Sequence, residues 1–318
     1  SVRDLGSPSF GLKMAIDRDV VVGPRIWPSG AMISQSGGHG DFRMLHEVPA
    51  TPDRLSYPER MGMSAIADSP DEVRKRTREQ LLQGASQIKL TVGGGVSSPY
   101  GPIDTVQLSV PEIRAAVEAA SSWGTYVTVH AYTPEAIRNA IEGGAKVIDH
   151  GQLADEATAK LMAETGTWWS LQPFLADEMA NAQPDAAGRA QAAEVRAGTD
   201  NAYRLAKKFG VKVAFGTDIL FDGARAARQG AQLQTMTRWY TPAEVLKMAT
   251  ADNAALLALS DRRNPYPGKL GVVEVGALAD LLLVDGDPTA DISLLSDPAK
   301  NLLVIMKDGR IFKNSLKN

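Results

Sequence analysis

Four short apolar runs in this chain each end at an ionisable side chain. The four side chains are Lys89, His130, His150 and Asp218. The segments between the runs have helical spacing, so the chain reads as alternating strands and helices. In a parallel barrel the carboxyl ends of the strands meet on one face, and that face is where sites are built. The order Lys, His, His, Asp therefore predicts a metal site at the mouth of a barrel.

The strand and helix pattern predicts an α/β fold of the TIM-type (β/α)8 class. Strands are predicted at Ser1–Leu5, Pro24–Trp27 with an extension towards Ile33, Gln87–Val92, Tyr126–His130, Val147–His150, Trp168–Gln172 and Lys212–Thr217. Helices are predicted near 9–19, 70–85, 110–123, 134–143, 155–165 and 185–209. Ser109 and Thr241 are each followed three residues later by Glu, and Thr133 precedes Pro134, which are helix-start signals. About seven β/α units favour a barrel over an open sheet.

The pattern changes after residue 262. Pro265 and Pro267 break the helical run, and two apolar segments follow, the second with an Asp308-Gly309 turn. We therefore expect a metal-dependent hydrolase barrel over residues 1–262, carrying strands 2–8, and the carboxyl-terminal part of a small β-sandwich over residues 263–318.

The composition of the chain excludes several classes of function. The 318 residues carry a net charge of −3, which provides no basic surface for nucleic acid or membranes. No apolar run has the roughly 20 residues needed to span a bilayer. The chain contains 0 cysteines, so a metal would be held by nitrogen and oxygen. We expect a soluble protein, and the choice between the cytoplasm and export stays open because we expect a segment to precede Ser1.

His130 and His150 lie one β/α unit apart, so they come from neighbouring strands. Two imidazoles that converge in this way are suited to zinc, and the alternative is a pair of unrelated core histidines. Asp218 follows Gly216 and Thr217, which leave room for a metal-bound water. Its carboxylate can ligate a metal and accept a proton, and the alternative role is a helix cap.

Lys89 lies in an apolar strand, where desolvation disfavours its ammonium form. A neutral amine can react with carbon dioxide to give a carbamate whose two oxygens bridge two metals. An ion pair with a neighbouring carboxylate, or a Schiff-base lysine, is the alternative. Beside two histidines and Asp218, we favour carbamylated Lys89 with two divalent metal ions, preferably zinc.

These residues in this order resemble the amidohydrolase superfamily of binuclear metal hydrolases. The segment 276–285, Gly-Ala-Leu-Ala-Asp-Leu-Leu-Leu-Val-Asp, matches its carboxyl-terminal signature. Ile88-Lys89-Leu90, His130-Ala131-Tyr132 and Gly37-Gly38-His39-Gly40-Asp41 are similar to one branch. That branch holds imidazolonepropionase-like Xaa-Pro dipeptidases, carboxypeptidase-like enzymes and ochratoxin-degrading amidohydrolases. The resemblance spans nearly the whole chain, and we also expect a homo-oligomer.

The resemblance implies two further roles. The Tyr132 hydroxyl would polarise the scissile carbonyl, and the alternative is a buried aromatic at the barrel mouth. His39 lies in a glycine-rich loop and could hydrogen-bond the substrate carbonyl or carboxylate, or else stabilise its loop. The family also carries a His-x-His pair on its first strand. We expect that pair and that strand to precede Ser1, and we expect residues 1–318 alone to aggregate or to lack activity.

The predicted function is hydrolysis of the amide bond in N-acyl amino acids or dipeptides, including ochratoxin A with release of phenylalanine. The catalytic candidates are Asp218 and Tyr132, and Tyr132 and His39 are the candidates for substrate binding. A cyclic-amide hydrolase or a deaminase on the same scaffold is the alternative within enzymes. A catalytically silent paralogue that keeps the barrel is the alternative outside them.

Overall fold

The structure is a computed structural model, and it describes residues 1–49, 51, 54–97, 100–183, 185–219 and 222–316. Its strands are β1 Val2–Asp4, β2 Ile26–Pro28, β3 Met32–Ser34, β4 Ser64–Ile66, β5 Ile88–Thr91, β6 Val127–Ala131, β7 Val147–His150, β8 Trp168–Leu171, β9 Val213–Phe215, β10 Leu281–Val284, β11 Leu302–Lys307 and β12 Arg310–Asn314. Its helices are α1 Phe10–Asp17, α2 Tyr57–Arg60, α3 Pro70–Gln83, α4 Val110–Trp123, α5 Pro134–Gly143, α6 Glu156–Thr165, α7 Ala186–Phe209, α8 Gly223–Ala226, α9 Gly230–Thr235, α10 Pro242–Lys247, α11 Asn253–Leu257 and α12 Pro298–Asn301. A π-helical turn, Met248–Asp252, joins α10 to α11.

A parallel sheet forms the barrel wall. Seven strands pair in the order β4-β3-β5-β6-β7-β8-β9, and β1 pairs in parallel with β2. Gln87 joins the two sheets, because its side-chain amide donates to the carbonyl oxygens of Asp4 at 3.2 Å and Trp27 at 2.9 Å. Helices alternate with strands from β5 to β9, which confirms the TIM-type prediction. The described residues form no β-pairing between β9 and β1.

Five successive helices, α3 to α7, each begin at a polar capping residue and end at a glycine. Their N-cap residues are Ser69, Ser109, Thr133, Asp155 and Asp185, and each is followed at its carboxyl end by a glycine in the left-handed region. The caps satisfy free N–H groups at the helix start, and glycine reverses the chain without steric cost. The predicted start signals at Ser109, Thr133 and Thr241 are confirmed. Among the described helices, none is long and apolar enough to cross a lipid bilayer.

Period-two alternation separates the two sides of the barrel wall. Val127 and Val129 on β6 pack in the main apolar cluster with the helices, whereas Thr128 and His130 alternate with them. Trp169 belongs to that main cluster, while its neighbour Trp168 belongs to a separate cluster with Tyr126, Val147, Ala214 and Leu256. Polar residues such as Thr128 and His130 therefore lie on the face of the barrel wall opposite the one that packs against the helices.

Two details of the predicted strands were wrong. The strand at Pro24–Trp27 does not run on through Ile33, because Gly30 adopts a φ of 72° and separates β2 from β3. The strand β4 was missed, since three residues, Ser64–Ile66, are too short to show an alternating pattern.

The carboxyl-terminal segment forms an antiparallel sheet of β10, β11 and β12. Asp308 and Gly309 both have positive φ, 51° and 74°, and form the predicted two-residue turn between β11 and β12. Arg25, which is 3% exposed, connects this sheet to the barrel by ion pairs with Asp280 and Asp308. The predicted β appendage after the barrel is thus present, and a buried cation is one of its connections to the barrel.

Candidate active site

All four strand-end residues predicted as metal ligands face one cavity. Lys89 lies on β5, His130 on β6 and His150 on β7, and Asp218 follows β9. Together they line a cavity of about 1320 Å³ that also extends between β1 and β9. Parallel strands bring their carboxyl ends to the same edge, which explains how residues far apart in sequence share this space.

Three imidazoles pack together in this cavity. The ring centroid of His130 lies 4.0 Å from that of His39, stacked, and 4.6 Å from that of His150. Burial lowers the pKa of His39 to about 3 and that of His150 to about 4, with nearby positive charge adding to the effect. Burial likewise holds the pKa of His130 well below its ordinary value. The three rings are therefore neutral near pH 7, as metal-binding imidazoles must be.

In each of the two predicted histidine ligands, one ring nitrogen forms a hydrogen bond with another protein group. His130 Nε2 donates to the carbonyl oxygen of Gly94 at 2.9 Å. His150 Nδ1 donates to Gln172 Oε1 at 2.8 Å, while the amide nitrogen of Gln172 donates to the Ser170 carbonyl at 3.0 Å. The other nitrogen of each ring is left as an acceptor. Such an outer partner fixes the tautomer and orientation of a metal-binding histidine.

His150 owes its orientation to an unusual backbone conformation. Strand alternation would direct Asp149 and His150 to opposite faces, yet both line the cavity. His150 has a φ of 74°, which turns its side chain back towards His130. Its carbonyl oxygen accepts a hydrogen bond from Trp169 Nε1 at 2.6 Å, which holds the turn in place. The backbone strain of a non-glycine residue in this region is typical of functional sites.

His39 reaches the cluster from the loop after β3. Its backbone N–H donates to Gln107 Oε1 at 2.8 Å. A β-carbon on Gly95 would lie 2.3 Å from the His39 ring, so only glycine there leaves space for the imidazole. Tyr132 stands edge-on to His130, with centroids 5.0 Å apart, and burial raises the pKa of its hydroxyl. Its phenol therefore stays a hydrogen-bond donor.

Lys89 is held by a buried carboxylate that the sequence analysis did not identify. Its Nζ donates to Asp149 Oδ2 at 2.6 Å, and Arg3 Nη2 donates to the other oxygen, Oδ1, at 2.7 Å. Burial lowers the pKa of Lys89, although the charge of Asp149 opposes this. Burial alone would raise the pKa of Asp149, but Lys89 and Arg3 outweigh it and lower that pKa to about 2. The ion pair named above as the alternative role of Lys89 is present here.

Asp218 lies in the cavity wall, three residues after the end of β9. It is half-buried because it faces the cavity, and it has a φ of 47°. The surrounding protein nevertheless desolvates the carboxyl, which raises its pKa to about 7; Asp149 adds to the rise and Lys89 opposes it. The alternative role as a helix cap is wrong, because Asp222 caps the following helix, α8.

The side chains that line the cavity are of the chemical types that bind a divalent metal. In the described ranges, no group of three His, Asp or Glu side chains converges closely enough to hold an ion. However, His130 and His150 each have one ring nitrogen without a hydrogen bond to any described residue, and Asp218 and Lys89 line the same cavity. Neutral imidazole and carboxylate are the donors that zinc takes in cysteine-free sites. The residues present are therefore those that would hold such a metal, and their assignment stays a prediction.

The family of the chain follows from a match over nearly its whole length. The model of the Amidohydrolase family matches residues 1–312. The chain belongs to this family. It is 31% identical to ochratoxinase of Aspergillus niger over 324 residues, which is 98% of this chain but 65% of that protein. The chain thus spans about two thirds of the length of this curated relative.

Solved structures of the family have the same fold. A prolidase complexed with N-methylphosphonate-L-proline superposes with a TM-score of 0.88 at 35% identity, covering 99% of this chain and 75% of that one. A Xaa-Pro dipeptidase with methionine bound in its active site gives a TM-score of 0.82 at 32% identity, covering 98% and 75%. The predicted superfamily and branch are confirmed.

Proposed function

We propose that the whole protein hydrolyses the amide bond of N-acyl amino acids or dipeptides and releases the carboxyl-terminal amino acid. One observation carries the proposal: neutral imidazoles, a carboxyl with raised pKa and a desolvated lysine share one cavity in a member of this family. The relatives named above, an ochratoxinase, a prolidase and a dipeptidase, support this substrate class. Ochratoxin A, with phenylalanine as the released product, is one substrate to test.

Asp218 would handle the proton in this reaction. Its carboxylate takes a proton from the attacking water as the new C–O bond forms, and then delivers it to the leaving amine nitrogen as the C–N bond breaks. A pKa of about 7 is suited to both transfers near neutral pH, because the group gains and loses its proton at similar cost.

Tyr132 and His39 would bind the reacting carbonyl. The Tyr132 hydroxyl is a donor with no tendency to ionise, since burial and Asp218 both raise its pKa. It would donate to the carbonyl oxygen, which becomes negatively charged in the tetrahedral state. His39, neutral and stacked on His130, would donate a second hydrogen bond to the substrate carbonyl or carboxylate.

His130, His150, Asp218 and carbamylated Lys89 would hold two divalent metals, zinc by preference. Metal at this position supplies polarisation of the carbonyl and a lower pKa for water. The Lys89 amine would attack carbon dioxide, forming an N–C bond and releasing one proton to solvent. Its lowered pKa favours this reaction, because only the neutral amine is nucleophilic.

A hydrolysis screen of the metal-loaded protein tests the proposal. N-acyl amino acids with varied carboxyl-terminal residues, dipeptides and ochratoxin A are each incubated with the protein, and free amino acid is measured by chromatography. We expect release of the carboxyl-terminal amino acid, and loss of that release on Asp218→Asn. Ammonia release without amino acid would instead indicate a deaminase, and failure to bind metal together with no turnover of any substrate would indicate a silent paralogue.

A further inference from the structure

A second, smaller cavity adjoins the imidazole cluster and contains a cation that the proposed mechanism does not use. Tyr132 and Asp218 line one part of this cavity, and Arg196 of α7 lines another. Apolar side chains, among them Phe174 and Met179, form part of the wall, and polar ones such as Asn181 form the rest. Reacting groups and a guanidinium therefore share the lining of one cavity.

Arg196 differs from the other cations near the site because it has no partner in the part of the chain that the structure describes. Arg3 and Lys89 are both paired with Asp149. Within the residues that the structure describes, the Arg196 guanidinium forms no ion pair, hydrogen bond or ring contact. Asp177 also lines the cavity, yet it is exposed and not paired with Arg196 among these residues.

A half-buried, unpaired guanidinium beside an apolar wall is suited to an anion. Arginine presents parallel N–H groups that match a carboxylate in a bidentate geometry, and it keeps its charge at any physiological pH. The apolar part of the lining, including Phe174 and Met179, would contact the side chain of the same substrate residue.

We propose that Arg196 binds the α-carboxylate of the leaving amino acid and so restricts the enzyme to substrates with a free carboxyl terminus. This inference rests on the proposed amide hydrolysis and assigns its substrate specificity. It leaves the scissile carbonyl to Tyr132 and His39. In every substrate of this class the carboxylate is attached to the carbon next to the scissile nitrogen. It therefore lies on the leaving-group side of the reacting bond, as Arg196 would require.

The test compares one acid with its neutral isostere. Hippuryl-phenylalanine and hippuryl-phenylalanine carboxamide share the scissile bond and differ only in the terminal charge. We measure kcat/KM for both with the parent protein, Arg196→Gln and Arg196→Lys. Arg204→Gln is the matched control, because Arg204 is exposed on the same helix and, among the described residues, its one hydrogen bond is to the exposed Asn201.

We expect the parent protein to prefer the acid, and Arg196→Gln to lower kcat/KM for the acid by about 10- to 150-fold, as for a lost charge-assisted hydrogen bond. The carboxamide should change less than about threefold, since it makes no such bond. Arg196→Lys should recover part of the loss for the acid, and Arg204→Gln should leave both substrates unchanged. An equal loss on acid and carboxamide, or no preference in the parent protein, would overturn the role of Arg196.

A binding experiment separates this inference from the proposed function. Calorimetry with phenylalanine and phenylalanine carboxamide measures the same selectivity without turnover, because neither compound has an N-acyl bond to cleave. If neither hippuryl substrate is cleaved but the acid binds more tightly in an Arg196-dependent way, the amide hydrolysis fails and the carboxylate site stands. If the substrates are cleaved but binding shows no Arg196-dependent preference, the carboxylate site fails and the hydrolase stands.

Discussion

Asp218 has its carboxyl at the cavity wall with a pKa raised to about 7 by burial. Asp218→Asn keeps the size and shape of the side chain but removes its ability to exchange a proton. We expect kcat to fall by at least the roughly 10²–10⁴ of general-base catalysis. The measurement is steady-state hydrolysis, together with circular dichroism and thermal unfolding to show that the fold is kept.

The control for this substitution lies four residues further along the chain. Asp222 caps α8 by accepting from the Arg225 N–H at 3.0 Å, and asparagine caps helices about as well as aspartate. Asp222→Asn should therefore keep full activity. Turnover of Asp218→Asn within tenfold of the parent would show that another group moves the proton.

Lys89→Ala tests the metal-binding role of the lysine. The substitution removes the nitrogen that would carry the carbamate and leaves Asp149 paired with Arg3. We expect close to two divalent metals per chain in the parent protein and loss of most of that content in the variant, measured by mass spectrometry after dialysis. Lys146→Ala, at the exposed residue before β7, is the matched control. Full metal content in Lys89→Ala would contradict the carbamate.

For individual residues, the sequence predicted which side chains end the strands, but it did not predict the neighbouring residues that fix those side chains in position. Lys89 and His130 follow the alternation of β5 and β6, so their direction could be predicted from the sequence. His150 is different, because its side chain faces the cavity only through a positive φ that no residue pattern indicates. Asp149 lies inside an apolar run, and its pairing with Arg3 joins residues 146 positions apart. A contact across that distance depends on how the barrel closes.

The loop that carries His39 depends on one buried ion pair. Asp41 accepts from Arg43 Nε at 2.8 Å and from the Gly37 N–H at 2.8 Å. Burial would raise the pKa of Asp41, but these hydrogen bonds and the Arg43 charge outweigh it and lower the pKa below 3.8. The pair therefore stabilises the folded protein above about pH 4, and its contribution disappears as pH falls below that value through the folded-state pKa.

Asp41→Asn should remove that acid dependence. We expect the variant to be less stable than the parent at pH 6, by about 1–3 kcal/mol for the loss of a charged hydrogen-bonding partner. The difference should shrink between pH 4 and pH 2.5, and urea denaturation at each pH measures it. A constant difference over this range would show that the Asp41 charge has no part in holding the loop.

At the scale of elements, the helices were more predictable than the short strands. Ser109 and Thr133 carry their own start signals, because capping is a local interaction of a few residues. By contrast, β4 has three residues and owes its existence to pairing with β3, a partner about 30 positions away that its own sequence does not specify. The break between β2 and β3 has a local cause at Gly30, whose φ of 72° a glycine permits but does not require.

The carboxyl-terminal sheet is joined to the barrel through contacts that the sequence signature alone did not predict. Asp280 belongs to the family signature, and its partner Arg25 lies 255 positions earlier in the chain. Lys307 adds a hydrogen bond from Nζ to the Gly23 carbonyl at 2.9 Å. The signature residue thus has a structural role, since it holds the appended sheet against the segment that leads into β2.

Arg25→Met should destabilise this connection while keeping the volume of the side chain. The Arg25 side chain is 4% exposed, whereas its partners Asp280 and Asp308 are 27% and 55% exposed, so both carboxylates keep some water when the arginine is removed. We therefore expect a loss of about 1–3 kcal/mol in the free energy of unfolding, smaller than for breaking a fully buried pair. Urea denaturation measures the loss, and limited proteolysis should show faster cleavage between α11 and β10.

Arg310→Gln is the matched control. Its pair with Asp19 also joins the sheet to the barrel, but the two side chains are 61% and 80% exposed, and exposed pairs contribute little to stability. If the two variants lose equal stability, burial of Arg25 is not what holds the two parts together.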